Sequence, residues 1–337
     1  MRMPVAAIVG GESLIGREIR EVLRDSPIPV DLKLIGADPA ESGKITEEAG
    51  EPVIITALDE SNLSSADAVI LAGSAESSRK AYSLLEKRSD AFLIDATGVL
   101  DDLPLARLRA PLAEPDASNG TLHRLSVIAH PAATALAIFF SRLEAAHPVT
   151  RALVEIFEPA SERGQPGIDE LHQQTIKLFS FQGLPKQVFD CQLAYNMLSA
   201  FGVEAQENLE QVEVRIERHL ATLLSLREQA WIPSLRLIQA PVFHGYSMSV
   251  WVELDSPATV SELSGALADE KIQLSRSGEE PPTNVSTVGL NGIAAGNIRA
   301  DRNSPRSFWF WLAADNLRLT ARNAVLLAER RLGAFAA

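Results

Sequence analysis

The first 130 residues alternate short apolar runs with stretches of helical period, and this alternation restricts the possible folds more than any other feature. Residues 5–9, 32–35, 53–55, 68–72, 92–94 and 127–129 are apolar runs of strand length. Such runs suit strands buried on both faces of a parallel sheet. Between the first two, Leu14, Ile15, Ile19, Val22 and Leu23 form one stripe at helical spacing. Repeated strand–helix units predict an α/β fold with a Rossmann-like, doubly wound parallel sheet.

The later chain has a different pattern. Residues 149–157, 235–243 and 248–254 read as longer strands of an antiparallel sheet, and 307–313 as an aromatic-rich strand. Residues 169–179, 207–227 and 259–269 read as helices, and 276–287, which lack a period, as a loop. Residues 317–332 read as an amphipathic helix that packs back on the first domain. The expected division is a dinucleotide-binding-type domain of residues 1–131 and 315–337, with an α+β domain of mostly antiparallel sheet at 132–314.

A net charge of −13 argues against nucleic acid or an anionic membrane as a partner, because a phosphate surface needs a basic face. The most apolar stretch, residues 132–140, is about half the roughly 20 residues a membrane span needs. The N-terminal residues lack a long apolar core and read as a first strand. A single cysteine, Cys191, excludes an internal disulfide and fits a reducing cytoplasm, with a structural or interface role for the thiol.

Gly10-Gly11-Glu12-Ser13-Leu14-Ile15-Gly16 follows the first strand and opens the first helix. Glycines there let a backbone approach a pyrophosphate, and a tight turn without ligand uses the same residues. Later segments narrow the choice. Asp95 ends a strand, and His130-Pro131-Ala132-Ala133-Thr134 follows the last strand of the first domain. Leu193-Ala194-Tyr195-Asn196-Met197 and Ala240-Pro241-Val242-Phe243-His244-Gly245-Tyr246-Ser247 come next. Ala314-Asp315-Asn316-Leu317-Arg318 and Asn323-Ala324-Val325 lie near the end. In this order and spacing the whole chain resembles the aspartate-semialdehyde dehydrogenase family. Residues 239–243 and 193–197 resemble its Usg-type homologues most closely.

The resemblance implies a dimerisation domain, a homodimer, and NADPH- and phosphate-linked interconversion of aspartyl phosphate and aspartate semialdehyde through a cysteine thioester. Carried over by position, that chemistry is broken. The nucleophile position is Ala133, which cannot form a thioester. The carboxylate-holding arginine falls at Gln239, a loss of roughly 1.5–3 kcal/mol of charge-assisted bonding. The assisting glutamine falls at Glu158 and the phosphate-holding arginine at Asp101. Arg215 and Arg218 are available on the helix where a companion lysine belongs, and as basic residues of a helical face both are expected to be solvated. The proton-transferring histidine falls at Tyr246; His244 lies two residues earlier, on the same face if the segment is extended.

These losses predict a catalytically silent homologue whose remaining role is to bind a small-molecule ligand or a related dehydrogenase subunit. The alternative is an oxidoreductase with non-covalent nicotinamide chemistry, in which Tyr246, His244, His130 and Glu158 move protons. Gly10, Glu12, Ser13, Leu14, Ile15, Gly16, Asp38, Gly73 and Asn316 occupy the cofactor positions, and no metal ligands are assigned. Glu12 replaces a threonine of the family turn and Ser13 a glycine. A carboxylate about 5 Å from a phosphate charge costs roughly 3 kcal/mol at an effective dielectric near 20. The arginine expected to pair with the 2′-phosphate of NADP is absent from residues 36–42. Asp38 is placed either to accept from a ribose hydroxyl, as NAD sites do, or to sit in a solvated turn. The expectation is NAD or NADP bound weakly or not at all.

Overall fold

Five of the six apolar runs become strands of one parallel sheet, because each offers apolar side chains to both faces at once. The computed structural model describes residues 2–336 except 89, 116–121, 228–230 and 277. It has two compact units, Met1–Ala129 with Thr320–Ala337, and His130–Leu319. In the first unit the strands are β1 (Val5–Val9), β2 (Asp31–Ile35), β5 (Ala68–Leu71), β6 (Leu93–Asp95), β7 (Ala106–Arg109) and β8 (Leu125–Ile128). Their order is β2-β1-β5-β6-β8-β7, and every neighbouring pair is parallel. Helix α1 (Leu14–Arg24) buries Ile19 and Val22 on one face of the sheet. The C-terminal helix α8 (Asn316–Ala336) adds Ala321, Ala324, Val325 and Leu332 to the same cluster, as its stripe predicts. Helix α3 (Ala75–Leu85) buries Ala81 and Leu85 on the opposite face, with α2 (Glu60–Ser64) beside it.

Residues 53–55 do not join that sheet as a buried parallel strand. β4 (Glu51–Ile54) pairs antiparallel with β3 (Ile45–Glu48) in a separate two-stranded sheet, and Ile45 and Ile54 are exposed. Ala49 and Gly50 join them at φ of 51° and 86°, the left-handed pair whose twist suits a two-residue hairpin. Within the run, Ile55 is the residue that buries, and Thr56 bridges to Ile35.

In the second unit the strands are β9 (Val149–Glu158), β10 (Ser234–Gln239), β11 (Tyr246–Leu254), β12 (Ile272–Leu274), β13 (Ile293–Ala300) and β14 (Ser307–Ala314). Their order is β10-β9-β11-β14-β13-β12, antiparallel in the middle and parallel at both edges. Residues 235–243, expected as one antiparallel strand, instead stop at Gln239 and run parallel to β9, with Gln239 opposite Glu158. Pro241 has no N–H to extend a ladder. The Val242 and Phe243 carbonyls accept from Ala160 and Ser161 instead.

Alternation along β11 buries Tyr246, Met248, Val250, Val252 and Leu254. Helix α4 (Pro131–Glu144) is apolar around nearly its whole circumference because α6 (Leu209–Ser225), α7 (Val260–Ala266) and β9 all pack against it. Helix α5 (Gly164–Phe179) anchors the segment that follows it. Its buried Gln174 donates to the carbonyls of Pro185 and Cys191 and accepts from the N–H groups of Leu193 and Ala194. Among the described residues, no helix is long and apolar enough to cross a membrane.

Candidate functional site

Inside the second unit, the end of β9, the start of β11 and the cap of α4 bring charged side chains together. Glu158 and Tyr246 are fully buried and His130 nearly so. Pro159 ends the strand, and the turn Ala160–Arg163 follows it. The carbonyls of Val242 and Phe243 hold that turn. From it, Arg163 donates to Glu158 Oε2 at 2.8 Å and to Glu207 Oε2 at 2.8 Å, and lies 5.3 Å from the Phe201 ring centroid. Glu162 Oε1 accepts from Asn316 Nδ2 at 2.8 Å. Its Oε2 lies 3.7 Å from His130 Nε2, beyond hydrogen-bond reach. Tyr246 Oη lies 3.4 Å from Glu158 Oε1. The His130 N–H donates to His219 Nδ1 at 2.9 Å, and its own Nδ1 accepts from Ala132 N–H at 3.3 Å, capping α4.

Burial governs the protonation of this cluster. It pushes Glu158 up to about 7, against the pull of Arg163 and with the repulsion of Glu162 and Glu207 added. Glu162 is raised for the same reason, with Arg163 and the Asn316 bond opposing. Burial and the charges of Arg215 and Arg163 hold the His130 imidazole well below its usual range, so it is neutral at pH 7. Tyr246 is raised well above the ordinary phenol range by burial beside Glu162 and Glu158. Burial alone would lower the Arg163 guanidinium, but Glu158, Glu207 and Glu162 raise it.

Of the site positions read from the sequence, His130, Glu158, Tyr246 and Asn316 meet in this cluster. Ala133 is fully buried in the first turn of α4. Gln239 is also fully buried, and its amide nitrogen donates to the carbonyls of Glu158 and Ala240. Arg215 faces the cluster, since its charge acts on His130, Glu158, Glu162 and Tyr246. Arg218 is exposed on the same helix. His244 does not share a face with Tyr246. Gly245 sits at φ 79°, so the segment is not extended there, and β11 begins only at Tyr246. Asn316, expected beside a cofactor, is committed to Glu162, Ser161 and the N–H of Gly245. Sequence reasoning missed Glu162, Arg163, Glu207 and His219. A legible signal was the crowding of three charged residues into Glu158-Pro159-Ala160-Ser161-Glu162-Arg163, between a strand and a helix.

The glycine turn in the first unit is built as a tight strand-to-helix connection. A Cβ on Gly10 would lie 2.3 Å from Gly73 Cα, and one on Gly16 would lie 2.1 Å from the Gly10 carbonyl oxygen. Packing alone therefore requires Gly10 and Gly16. Ser13 caps α1 by accepting from Gly16 N–H at 2.9 Å and donates to the Ala72 carbonyl. Leu14 and Ile15 open the helix behind it. Glu12 folds back onto α1, pairing with Arg17 at 3.2 Å and with the buried Arg20. Burial would raise Glu12, but bonds from Thr46 and Arg20 hold it below its ordinary value. After β2, Asp38 caps a short turn by accepting from Ala40 N–H at 2.7 Å. Glu41 Oε2 accepts from Ala37 N–H at 2.7 Å and reaches the Asp38 N–H. Glu12 and Glu41 thus lie in the two turns where the resemblance places cofactor phosphates, Glu12 paired to arginines and Glu41 to backbone N–H groups. Asp95 is likewise satisfied locally, accepting from Thr97 and from Leu100 N–H. Asp101 lies in the turn that follows.

A doubly wound parallel sheet and an α+β unit with a polar cluster at its strand ends are the two parts of this chain's architecture. The chain belongs to the semialdehyde dehydrogenase family: residues 142–319 match the profile described as "Semialdehyde dehydrogenase, dimerisation domain". It is 25% identical to the aspartate-semialdehyde dehydrogenase of Rickettsia bellii, over 98% of both chains. It is 27% identical to the USG-1 protein homolog of Pseudomonas aeruginosa, over 96% of both. Among solved structures, a probable aspartate-semialdehyde dehydrogenase from Pseudomonas aeruginosa superposes with a TM-score of 0.85 at 26% identity, covering 97% of this chain and 98% of that one.

Proposed function

We propose that this chain is a homodimeric member of the family that has lost the family reaction and acts by binding. The observation that carries the reading is Ala133, a buried alanine in the first turn of α4, where the resemblance puts the nucleophilic cysteine. The names of two of the three relatives refer to aspartate semialdehyde, and the thioester route to that compound needs a sulfur. The surroundings support the loss. An anionic substrate would meet the Glu158 and Glu162 carboxyls, while Arg163 is already committed to two carboxylates. The nicotinamide alternative is the weaker reading, because it relies on His244 and on a turn that Glu12 and Glu41 already occupy.

Calorimetric titration of the full chain with NADP, and separately with NAD, is expected to give no saturable heat. A dissociation constant in the micromolar range for either would overturn the loss of cofactor use.

Exposed apolar side chains support the homodimer. Phe181 is 98% exposed and Tyr195 67%, and Leu153 is 42% exposed on the outer face of β9. Exposed apolar side chains suit an interface in a chain that matches a dimerisation-domain profile. Phe181→Asp combined with Leu153→Arg is expected to convert a two-chain particle into a one-chain particle by light scattering. A wild-type protein that runs as one chain would contradict the reading.

A further inference from the structure

We propose that His130, Glu158 and Glu162 bind one divalent transition-metal cation, with zinc the ion their donor set fits best. The inference is independent of whether the family reaction is lost. One ligand atom from each of the three residues lies within 4.8 Å of the other two. A tetrahedral zinc with bonds of about 2.0–2.1 Å places its donors about 3.4 Å apart. The His130 Nε2 to Glu162 Oε2 distance of 3.7 Å is near that value, and the longer ones must contract on binding.

The way each carboxylate is held supports the assignment. Glu158 gives Oε2 to Arg163 and keeps Oε1 free except for the long contact to Tyr246. Glu162 gives Oε1 to Asn316 and leaves Oε2 facing His130. Each is thus held through one oxygen by a charged or amide partner, as outer partners fix metal-binding carboxylates. His130 Nε2 is buried and has no hydrogen-bond partner. With Nδ1 accepting from Ala132 N–H, the neutral ring carries its proton on Nε2, where that N–H finds no acceptor, and replacing the proton by a cation held with the carboxylates satisfies the nitrogen. One nitrogen and two oxygens make a three-ligand site with a fourth position open to water.

Two costs limit the affinity. Coordination through Nε2 moves the ring proton to Nδ1, which breaks the 3.3 Å contact from Ala132 N–H. Arg163 and Arg215 add positive charge against the incoming ion, offset by Glu158, Glu162 and Glu207. The expected affinity is therefore micromolar rather than that of a folding-essential zinc site.

The test uses full-length, chelator-treated protein titrated with zinc(II) by calorimetry and with cobalt(II) by visible absorption. One ion per chain is expected, with the absorption intensity of a four- or five-coordinate cobalt site. Glu162→Gln, which keeps an oxygen for Asn316, and His130→Asn, which keeps a helix-capping side chain, should each weaken binding by about 10-fold or more. His172→Ala, at an exposed histidine outside the cluster, should leave binding unchanged. Should His130→Asn fail to fold, Glu162→Gln decides alone. Absence of saturable binding, equal binding by Glu162→Gln, or loss of binding in His172→Ala would each overturn the site.

Discussion

Protein supplied with aspartate semialdehyde, NADP and phosphate is expected to turn over at less than about 10⁻⁴ of the rate of an active family member. The Ala133→Cys variant is expected to stay inactive as well. A thiol at that position would stand in the first turn of α4, where a helix N-terminus favours the thiolate. The nucleophile alone would then be restored in a site that still lacks its other parts. Gln239 spends its amide nitrogen on backbone carbonyls and has no guanidinium to offer a carboxylate. That difference of roughly 1.5–3 kcal/mol is worth about 10- to 150-fold in substrate binding. Glu158 and Glu162 add repulsion toward an anionic substrate. Phosphate-dependent NADPH formation by the wild type above that of a cysteine-deleted relative would refute the silent reading. Recovery by Ala133→Cys to within about tenfold of an active relative would refute the claim that the rest of the site is lost.

Much of this was legible along the chain, and the exceptions have physical causes. The buried strands announced themselves because a strand covered on both faces must be apolar throughout. The β3–β4 hairpin did not, because Ile45-Thr46-Glu47-Glu48 carries an exposed strand's mixed composition and its turn uses Ala49 where Asn or Asp is usual. β7 was missed because Ala106-Arg107-Leu108-Arg109 is short and half basic; its inward Arg109 is paired to Glu114 at 2.8 Å. In the site, His130, Glu158, Tyr246 and Asn316 could be picked out one by one, since each sits at a strand or helix end. The charged groups that surround them could not. Glu162 and Arg163 look like solvated turn charges until Val242, Phe243 and Asn316, each some 80 or more residues away, fold them inward.

Arg163→Met is expected to destabilise the fold by about 3–5 kcal/mol in chelator-containing buffer, read as a lowered urea midpoint at unchanged slope. Arg163 is almost wholly buried and is paired with the wholly buried Glu158. A well-packed apolar replacement of a whole buried pair can be neutral, but removing one partner leaves the other charge buried without compensation. Here the remaining Glu158 would also face Glu162 and Glu207 with less positive charge between them. The double variant Arg163→Met with Glu158→Gln should therefore recover much of the loss, with a coupling energy above about 1 kcal/mol, as expected for residues in one network. A surface ion pair such as Arg88–Asp90 serves as the internal contrast, because exposed pairs are worth about 0–1 kcal/mol and Arg88→Met should fall in that range. If Arg163→Met proved as mild as Arg88→Met, the cluster would be hydrated and Arg163 would be free to meet an anionic ligand. The Arg163 guanidinium would then be a recognition group, and the reading that it is already committed to Glu158 and Glu207 would fail.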